Sequence, residues 1–64
     1  MIFENVEKLC SRKQMSVTKL ERELGFGVNT IRKWETSSPT VANLQKVAKY
    51  FNVTIDSLLK PIKE

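Results

Sequence analysis

The sequence predicts an all-α domain of five short helices around one core. Apolar residues recur along the chain at the three- and four-residue spacing of amphipathic helices. Polar or glycine-containing breaks separate these stripes, and good capping residues follow most of the breaks. No segment sustains the alternation of a half-buried strand. The 64 residues suffice for one domain, which we take as residues 1–64.

The first two helices are predicted from their apolar faces. The first ends near Lys13, and its buried face consists of Phe3, Val6, Leu9 and Cys10. Ser16 is a suitable N-cap for the second helix, whose buried face consists of Val17, Leu20 and Leu24. Gly25 follows at once and fits a left-handed position at the helix end, where any side chain is penalised.

A third helix is expected to begin near Gly27 or Val28, with Ile31 and Trp34 on its buried side. Residues 36–39 form a polar break. Thr40 caps a fourth helix that ends at Asn52. The buried stripe of this helix is expected to consist of Val41, Leu44, Val47, Ala48 and Phe51.

Thr54 caps a short fifth helix, and Asp56 lies in its first turn, where a negative charge is favoured. Pro61 is expected to stop this helix. Its inward-facing residues are expected to be Ile55, Leu58 and Leu59.

The composition limits the classes of function. Eleven Lys and Arg against seven Asp and Glu give a net charge of +4, which suits a nucleic-acid partner and equally an ordinary soluble surface. With one cysteine and no histidine, the chain offers neither an internal disulfide nor a Cys/His zinc site, and we expect no metal or cofactor. We expect a cytoplasmic protein with no signal peptide and no membrane span.

An enzyme is not expected. The chain has no histidine for acid–base chemistry and no serine or cysteine in a nucleophile motif. Five carboxylates are expected on outer helix faces rather than around one concave site: Glu4, Glu7, Glu21, Glu23 and Glu35.

Residues 16–35 have the organisation of a helix-turn-helix. Two short helices meet across a glycine turn, and in the DNA-binding form the second helix lies in the major groove. The turn alone is also compatible with any helical hairpin. The exposed face of the third helix is more informative, because it carries residues suited to base edges: Val28, Asn29, Arg32 and Lys33.

Each of these residue types has a matching contact. Arg32 can bond guanine bidentately, Asn29 can bond adenine, and Val28 can contact a thymine methyl group, whereas Lys33 reaches guanine or phosphate. The free N–H groups at the start of this helix would also suit a phosphate. No acidic residue lies between Val28 and Lys33.

Residues 16–35 resemble the helix-turn-helix of the phage-repressor and xenobiotic-response-element family. The most specific piece is the ending Thr30-Ile31-x-x-Trp34-Glu35. The run from Pro39 to Leu59 is similar to the family's fourth and fifth helices, so the resemblance covers nearly the whole chain. It is nearest to repressors of phages and prophages of Gram-positive bacteria. It implies a five-helix, lambda-repressor-like fold whose helix-turn-helix is formed by helices 2 and 3.

The resemblance also implies roles for individual positions. The base-contacting positions are Val28, Asn29, Arg32 and Lys33. The phosphate-contacting positions are Ser16, Val17, Gly27, Thr30, Ser37, Ser38 and Asn43. The chain departs from the family in four places: Val17 replaces a common Gln, Glu21 replaces a small residue, Gly27 replaces a Ser or Thr cap, and residues 35–39 form a shorter loop.

Some of these residues also have plainer interpretations. Trp34 is expected in the core rather than stacked on bases, and Val28 could also be a core residue. Asn29 could cap a helix that starts later. Arg32 and Lys33 could be a solvated surface pair. Cys10 is expected in the core, with redox sensing as a minor alternative.

The function predicted from the sequence is sequence-specific binding of a double-stranded DNA operator by a transcriptional repressor, as a homodimer. No membrane or small-molecule partner is expected. The alternative is a protein-interaction module of an antitoxin or phage regulator with weak DNA binding. Leu59 and Ile62 are candidates for the dimer surface, and both a complete small regulator and an N-terminal fragment of a larger repressor are compatible with the sequence.

Overall fold

A computed structural model describes residues 2–60, and this part of the chain contains four α-helices and one 3-10 helix. They are α1 (Ile2–Arg12), α2 (Val17–Leu24), the 3-10 helix (Arg32–Glu35), α3 (Val41–Phe51) and α4 (Ile55–Leu59). The all-helical class is confirmed for these residues, but the expected third α-helix is replaced by the 3-10 helix. None of the helices found here has the length and apolar character needed to cross a bilayer. Pro61 and Ile62 lie outside the described residues.

The core lies where α1 packs against α2, the 3-10 helix and α4, while α3 packs against α4. Burial of apolar surface is the main favourable term in folding, and every element contributes to it. The buried apolar residues are Phe3, Val6, Leu9, Cys10, Val17, Leu20, Ile31, Trp34, Leu44, Val47, Ala48, Phe51 and Leu58. The apolar face predicted for the first helix is therefore confirmed.

The predicted helix caps are also present. Each capping hydroxyl accepts a hydrogen bond from the backbone N–H three residues later, at 3.0 Å for Ser16, 3.2 Å for Thr40 and 3.1 Å for Thr54. Asn52 ends α3 in the left-handed conformation, with φ of 57°. These local signals determine where three of the four α-helices begin.

Two apolar residues expected in the core are exposed. Val41 is 65% exposed because it lies in the first turn of α3, at the edge of the apolar stripe. Leu59 is 46% exposed because it follows the buried Leu58. Successive residues of a helix point about 100° apart, and here Leu58 takes the inward position while Leu59 points partly to solvent.

A buried asparagine ties the first helix to the last. Asn5 lies in the apolar face of α1 and is 1% exposed. Its Nδ2 donates to the carbonyl oxygens of Leu58 at 2.7 Å and Lys60 at 2.6 Å. Asn5 therefore satisfies backbone acceptors at the end of α4, which have no partner within the helix.

Candidate nucleic-acid interface

The turn after α2 is closed by a left-handed glycine. Gly25 has φ of +74°, and its N–H donates to the carbonyl oxygen of Arg22 at 3.2 Å. The N–H of Phe26 donates to the carbonyl oxygen of Glu21 at 2.8 Å, which completes a two-bond helix ending. Because a residue with a Cβ is strained at this φ, the role predicted for Gly25 is confirmed.

The chain after this turn does not form the α-helix expected from Gly27 or Val28. Residues 28–31 form turns, and the 3-10 helix begins only at Arg32. Asn29 has φ of 66°, a left-handed conformation that interrupts a right-handed helix. The N–H of Thr30 donates to the carbonyl oxygen of Gly27 at 3.2 Å, as in a tight turn. The helix therefore starts later than the sequence suggested.

A buried carboxylate from α2 holds this turn. Glu21 is 2% exposed. Its Oε1 accepts the N–H of Asn29 at 3.2 Å, and its Oε2 accepts the N–H of Ile31 at 2.8 Å. Hydrogen bonds to a charged acceptor are stronger than those between neutral groups. Glu21, rather than the Asn29 side chain, thus satisfies the backbone donors ahead of the 3-10 helix.

The expectation that Glu21 lies on an outer face is wrong. Residue 21 follows Val17 by four positions, so it returns to the same face of α2 after about one helical turn. Val17 is buried, and Glu21 is buried beside it. The four-residue spacing from Val17 was a signal for burial that the sequence contained, but the charged side chain of Glu21 argued against burial.

The hydrogen bonds to Glu21 also affect the phosphate site expected at the start of the third helix. The N–H groups of Asn29 and Ile31 donate to Glu21, and that of Thr30 donates to a backbone carbonyl oxygen. These three N–H groups are engaged within the protein, which argues against a phosphate bound by them, and a phosphate contact at this helix start stays a prediction. Glu21 also brings an acidic group to a segment that has none in its own sequence.

The N-terminus of α2 has N–H groups of the kind that suit an anion. Ser16 accepts the N–H of Lys19, which is one of the four N–H groups without an intrahelical acceptor at a helix start. The N–H groups of Val17 and Thr18 belong to the same first turn. The positive end of the helix dipole adds to their attraction for a phosphate.

Two buried side chains anchor the segment that carries the base-contacting candidates. Ile31 is fully buried, and Trp34 is 7% exposed. The Trp34 ring meets the Phe26 ring edge-on, with centroids 6.2 Å apart and an interplanar angle of 65°. The core interpretation of Trp34 is confirmed, and the ring is not available to stack on a base.

The four base-contacting candidates all lie on the outside of this segment. We call residues 28–33 the reading segment. Val28 is 81% exposed, so the alternative that it belongs to the core is wrong. Asn29, Arg32 and Lys33 are exposed as well. DNA contact and a solvated surface both require exposed side chains, so exposure does not distinguish these two interpretations of Arg32 and Lys33.

Arg32 lines a groove together with Ser16 and Val17 at the start of α2. The groove is also lined by Glu7, Cys10 and Ser11 of α1 and by Gln14 and Met15 of the connection to α2, so it includes one acidic side chain. Val17 is buried, so a contact from this residue would come from its backbone rather than its side chain. The groove thus brings together one base-contacting candidate and two phosphate-contacting candidates.

The remaining phosphate-contacting candidates are more dispersed. Ser37 and Ser38 are exposed and line a second groove, which also includes Ile2 and Leu59. Asn43 is half-buried on α3, and its N–H donates to Thr40. Gly27 is exposed and directly precedes the reading segment, and Thr30 is half-buried within it.

Cys10 has the surroundings of an inert core thiol. It is 2% exposed, and burial, together with the nearby Glu7 carboxylate, raises the pKa of the thiol to about 11. The thiolate is the reactive form, so a raised pKa opposes oxidation at neutral pH. The arrangement favours the core interpretation over redox sensing.

Comparison with known proteins identifies the family. A model of the helix-turn-helix family, of the xenobiotic-response-element type, matches residues 6–58. The chain belongs to this family of DNA-binding transcription regulators. Searches of curated proteins and of solved structures returned no significant match.

Proposed function

We propose that this domain is a repressor of the phage or prophage type that recognises a specific operator through its reading segment. The observation that carries the proposal is the groove shared by Arg32, Ser16 and Val17. It places a side chain suited to guanine next to backbone N–H groups suited to phosphate. Phosphate contacts fix the position of a protein on DNA, and base contacts then give specificity.

The proposed contacts follow from exposure and chemistry. Arg32 bonds guanine bidentately, Asn29 bonds adenine, and Val28 contacts a thymine methyl group. Lys33 contacts guanine or phosphate. On the backbone side, the N–H of Val17, the hydroxyls of Ser16 and Thr30, and Gly27 meet the nearer phosphates. Ser37, Ser38 and Asn43 meet the next phosphates along the groove.

We propose further that two copies bind a two-fold symmetric operator. A single domain of this size makes a small interface with DNA, and its specificity is correspondingly limited. Two half-sites about one helical turn apart combine two such interfaces on one face of the duplex. The exposed Leu59 and the undescribed Ile62 remain candidates for the contact between the copies.

The test is a selection of bound duplexes from a random pool at low and moderate salt. Three proteins are compared: the wild type, Arg32→Ala and the matched control Arg22→Ala. Arg22 is an exposed arginine on α2, so its removal causes the same loss of charge outside the reading segment. We expect a two-fold symmetric motif for the wild type and for Arg22→Ala, with one base pair of each half-site relaxed in Arg32→Ala.

A different outcome would favour the protein-interaction module. Binding without any motif, lost entirely at moderate salt, would reflect charge attraction alone. In that case the operator proposal fails.

A further inference from the structure

We propose that Glu21 is a positioning residue that sets the base preference of the domain by holding the reading segment in its bent conformation. The proposal rests on the DNA-binding function proposed above. It starts from an unusual arrangement, in which a buried carboxylate uses both oxygens on the backbone of the segment that faces DNA.

The two hydrogen bonds fix the segment at two points. They end on the N–H groups of Asn29 and Ile31, which flank Thr30 on both sides. Asn29 is left-handed, a conformation that asparagine adopts more readily than most residues but that is still less favourable than the right-handed one. The hydrogen bond from the Asn29 N–H to the Glu21 carboxylate favours this conformation.

The contact acts directly on residues that face the DNA. Asn29 is itself a base-contacting candidate, and Arg32 follows the second anchored residue, Ile31, at once. Bidentate bonds to base edges require accurate placement of both donors. If the carboxylate is lost, the backbone before Arg32 can rearrange, and these bonds weaken. Contacts from the N-terminus of α2 to phosphate do not depend on Glu21 and remain.

The chain offers a matched control on the same helix. Glu23 is exposed and lines a separate groove together with Lys46 and Lys49. Glu21→Gln and Glu23→Gln each remove one negative charge from α2, so the effect on long-range attraction to DNA is the same. Only Glu21→Gln replaces an oxygen that accepts a backbone N–H with a group that donates.

The first measurement is the ratio of affinities for the selected operator and for a scrambled duplex of the same length, at one salt concentration. We expect Glu21→Gln to lower this ratio by about tenfold or more, because the loss of one hydrogen bond to a charged group corresponds to a change of at least that size in an equilibrium constant. Glu23→Gln should leave the ratio within about twofold, the spread expected of a surface substitution. A general loss of folded protein would lower both affinities together and leave the ratio unchanged.

The second measurement is amide hydrogen exchange in the free protein. Exchange at Asn29 and Ile31 should be faster in Glu21→Gln, while the amides of α1 stay protected. Glu21→Ala, which carries a small residue common in the family, is the second variant in case a buried amide prevents folding. We expect it to show the same loss of preference and the same faster exchange.

The outcomes distinguish a failure of the positioning role of Glu21 from a failure of the proposed function. If Glu21→Ala keeps the wild-type preference, or if exchange at Asn29 and Ile31 is unchanged, the positioning role is wrong while the proposed function stands. If the wild type itself shows no preference for any duplex, the proposed function fails and the role of Glu21 in specificity fails with it.

Discussion

The buried amide of Asn5 gives the sharpest prediction about stability. Asn5→Ala removes two hydrogen bonds, to the carbonyl oxygens of Leu58 at 2.7 Å and Lys60 at 2.6 Å. Leu58 is fully buried, and a buried acceptor left without a donor costs roughly 1–3 kcal/mol. Lys60 is exposed, so water can replace its lost donor, and about 0.5–1 kcal/mol is expected there. We therefore predict a loss of roughly 1.5–4 kcal/mol in the free energy of unfolding.

The predicted loss is a large part of the total free energy of unfolding of the domain. A domain of 64 residues is expected to be stable by roughly 3–10 kcal/mol. For a domain of this size, the predicted loss lowers Tm by roughly 6–30 °C. The variant would then be partly unfolded at ambient temperature if the wild type lies at the lower end of that range.

Urea unfolding followed by the fluorescence of Trp34 measures the effect, because this buried residue is the only tryptophan of the chain. Asn43→Ala is the matched control, since Asn43 is half-buried and its backbone, not its side chain, makes the cap contact on α3. A difference between the two variants below about 0.5 kcal/mol would refute the reasoning, because an ordinary surface substitution falls in that range.

Three further predictions follow from single residues. Burial raises the pKa of Cys10 to about 11, against 9.0 for an unperturbed thiol, so the contribution of the protonated thiol to stability is complete below pH 9 and is lost as the pH rises through 11. The difference in unfolding free energy between the wild type and Cys10→Ala should therefore narrow between pH 9 and pH 11. A difference that stays constant over this range would contradict the effect of burial. Gly25→Ala should cost about 1–2 kcal/mol in urea unfolding, since φ is +74° and no atom beyond the neighbouring residues lies within 4 Å of the added Cβ; a much larger cost would reveal a steric clash. Lys33→Ala should reduce the slope of log affinity against log salt by about one if Lys33 contacts phosphate, and an unchanged slope would assign it to a base.

The parts of the fold that the sequence predicts well are local. The caps Ser16, Thr40 and Thr54 bond an N–H three residues away, and Gly25 needs only its own φ and two nearby carbonyl oxygens. Such features depend on neighbours along the chain, so the residue type and its spacing are sufficient to predict them.

The parts that the sequence predicts poorly depend on distant partners. Asn5 bonds residues more than fifty positions away, and Glu21 bonds the backbone eight and ten positions later. A polar residue in an apolar stripe suggests exposure until its partners are known. The left-handed conformation of Asn29, which shortens the third helix, accompanies the contact with Glu21 and could not be inferred from helix periodicity alone.

The base-contacting candidates were chosen by helical phase, and the change from an α-helix to a 3-10 helix leaves the phase of Arg32 and Lys33 intact. Ile31 and Trp34 are still buried three residues apart, and Arg32 and Lys33 still point outward between them. A 3-10 helix and an α-helix have similar periods over one turn, so the two sides of such a short segment are the same in both.

Arg32 is proposed to recognise one base pair of the operator. The direct test is a titration of the selected operator, and of the same operator with that base pair changed, by the wild type, Arg32→Ala and Arg22→Ala. We predict that Arg32→Ala binds the selected operator roughly 5- to 150-fold more weakly, equivalent to about 1–3 kcal/mol, and no longer distinguishes the two duplexes, while Arg22→Ala does. If Arg32→Ala weakens binding to both duplexes equally, Arg32 contacts only the DNA backbone and the claim is contradicted.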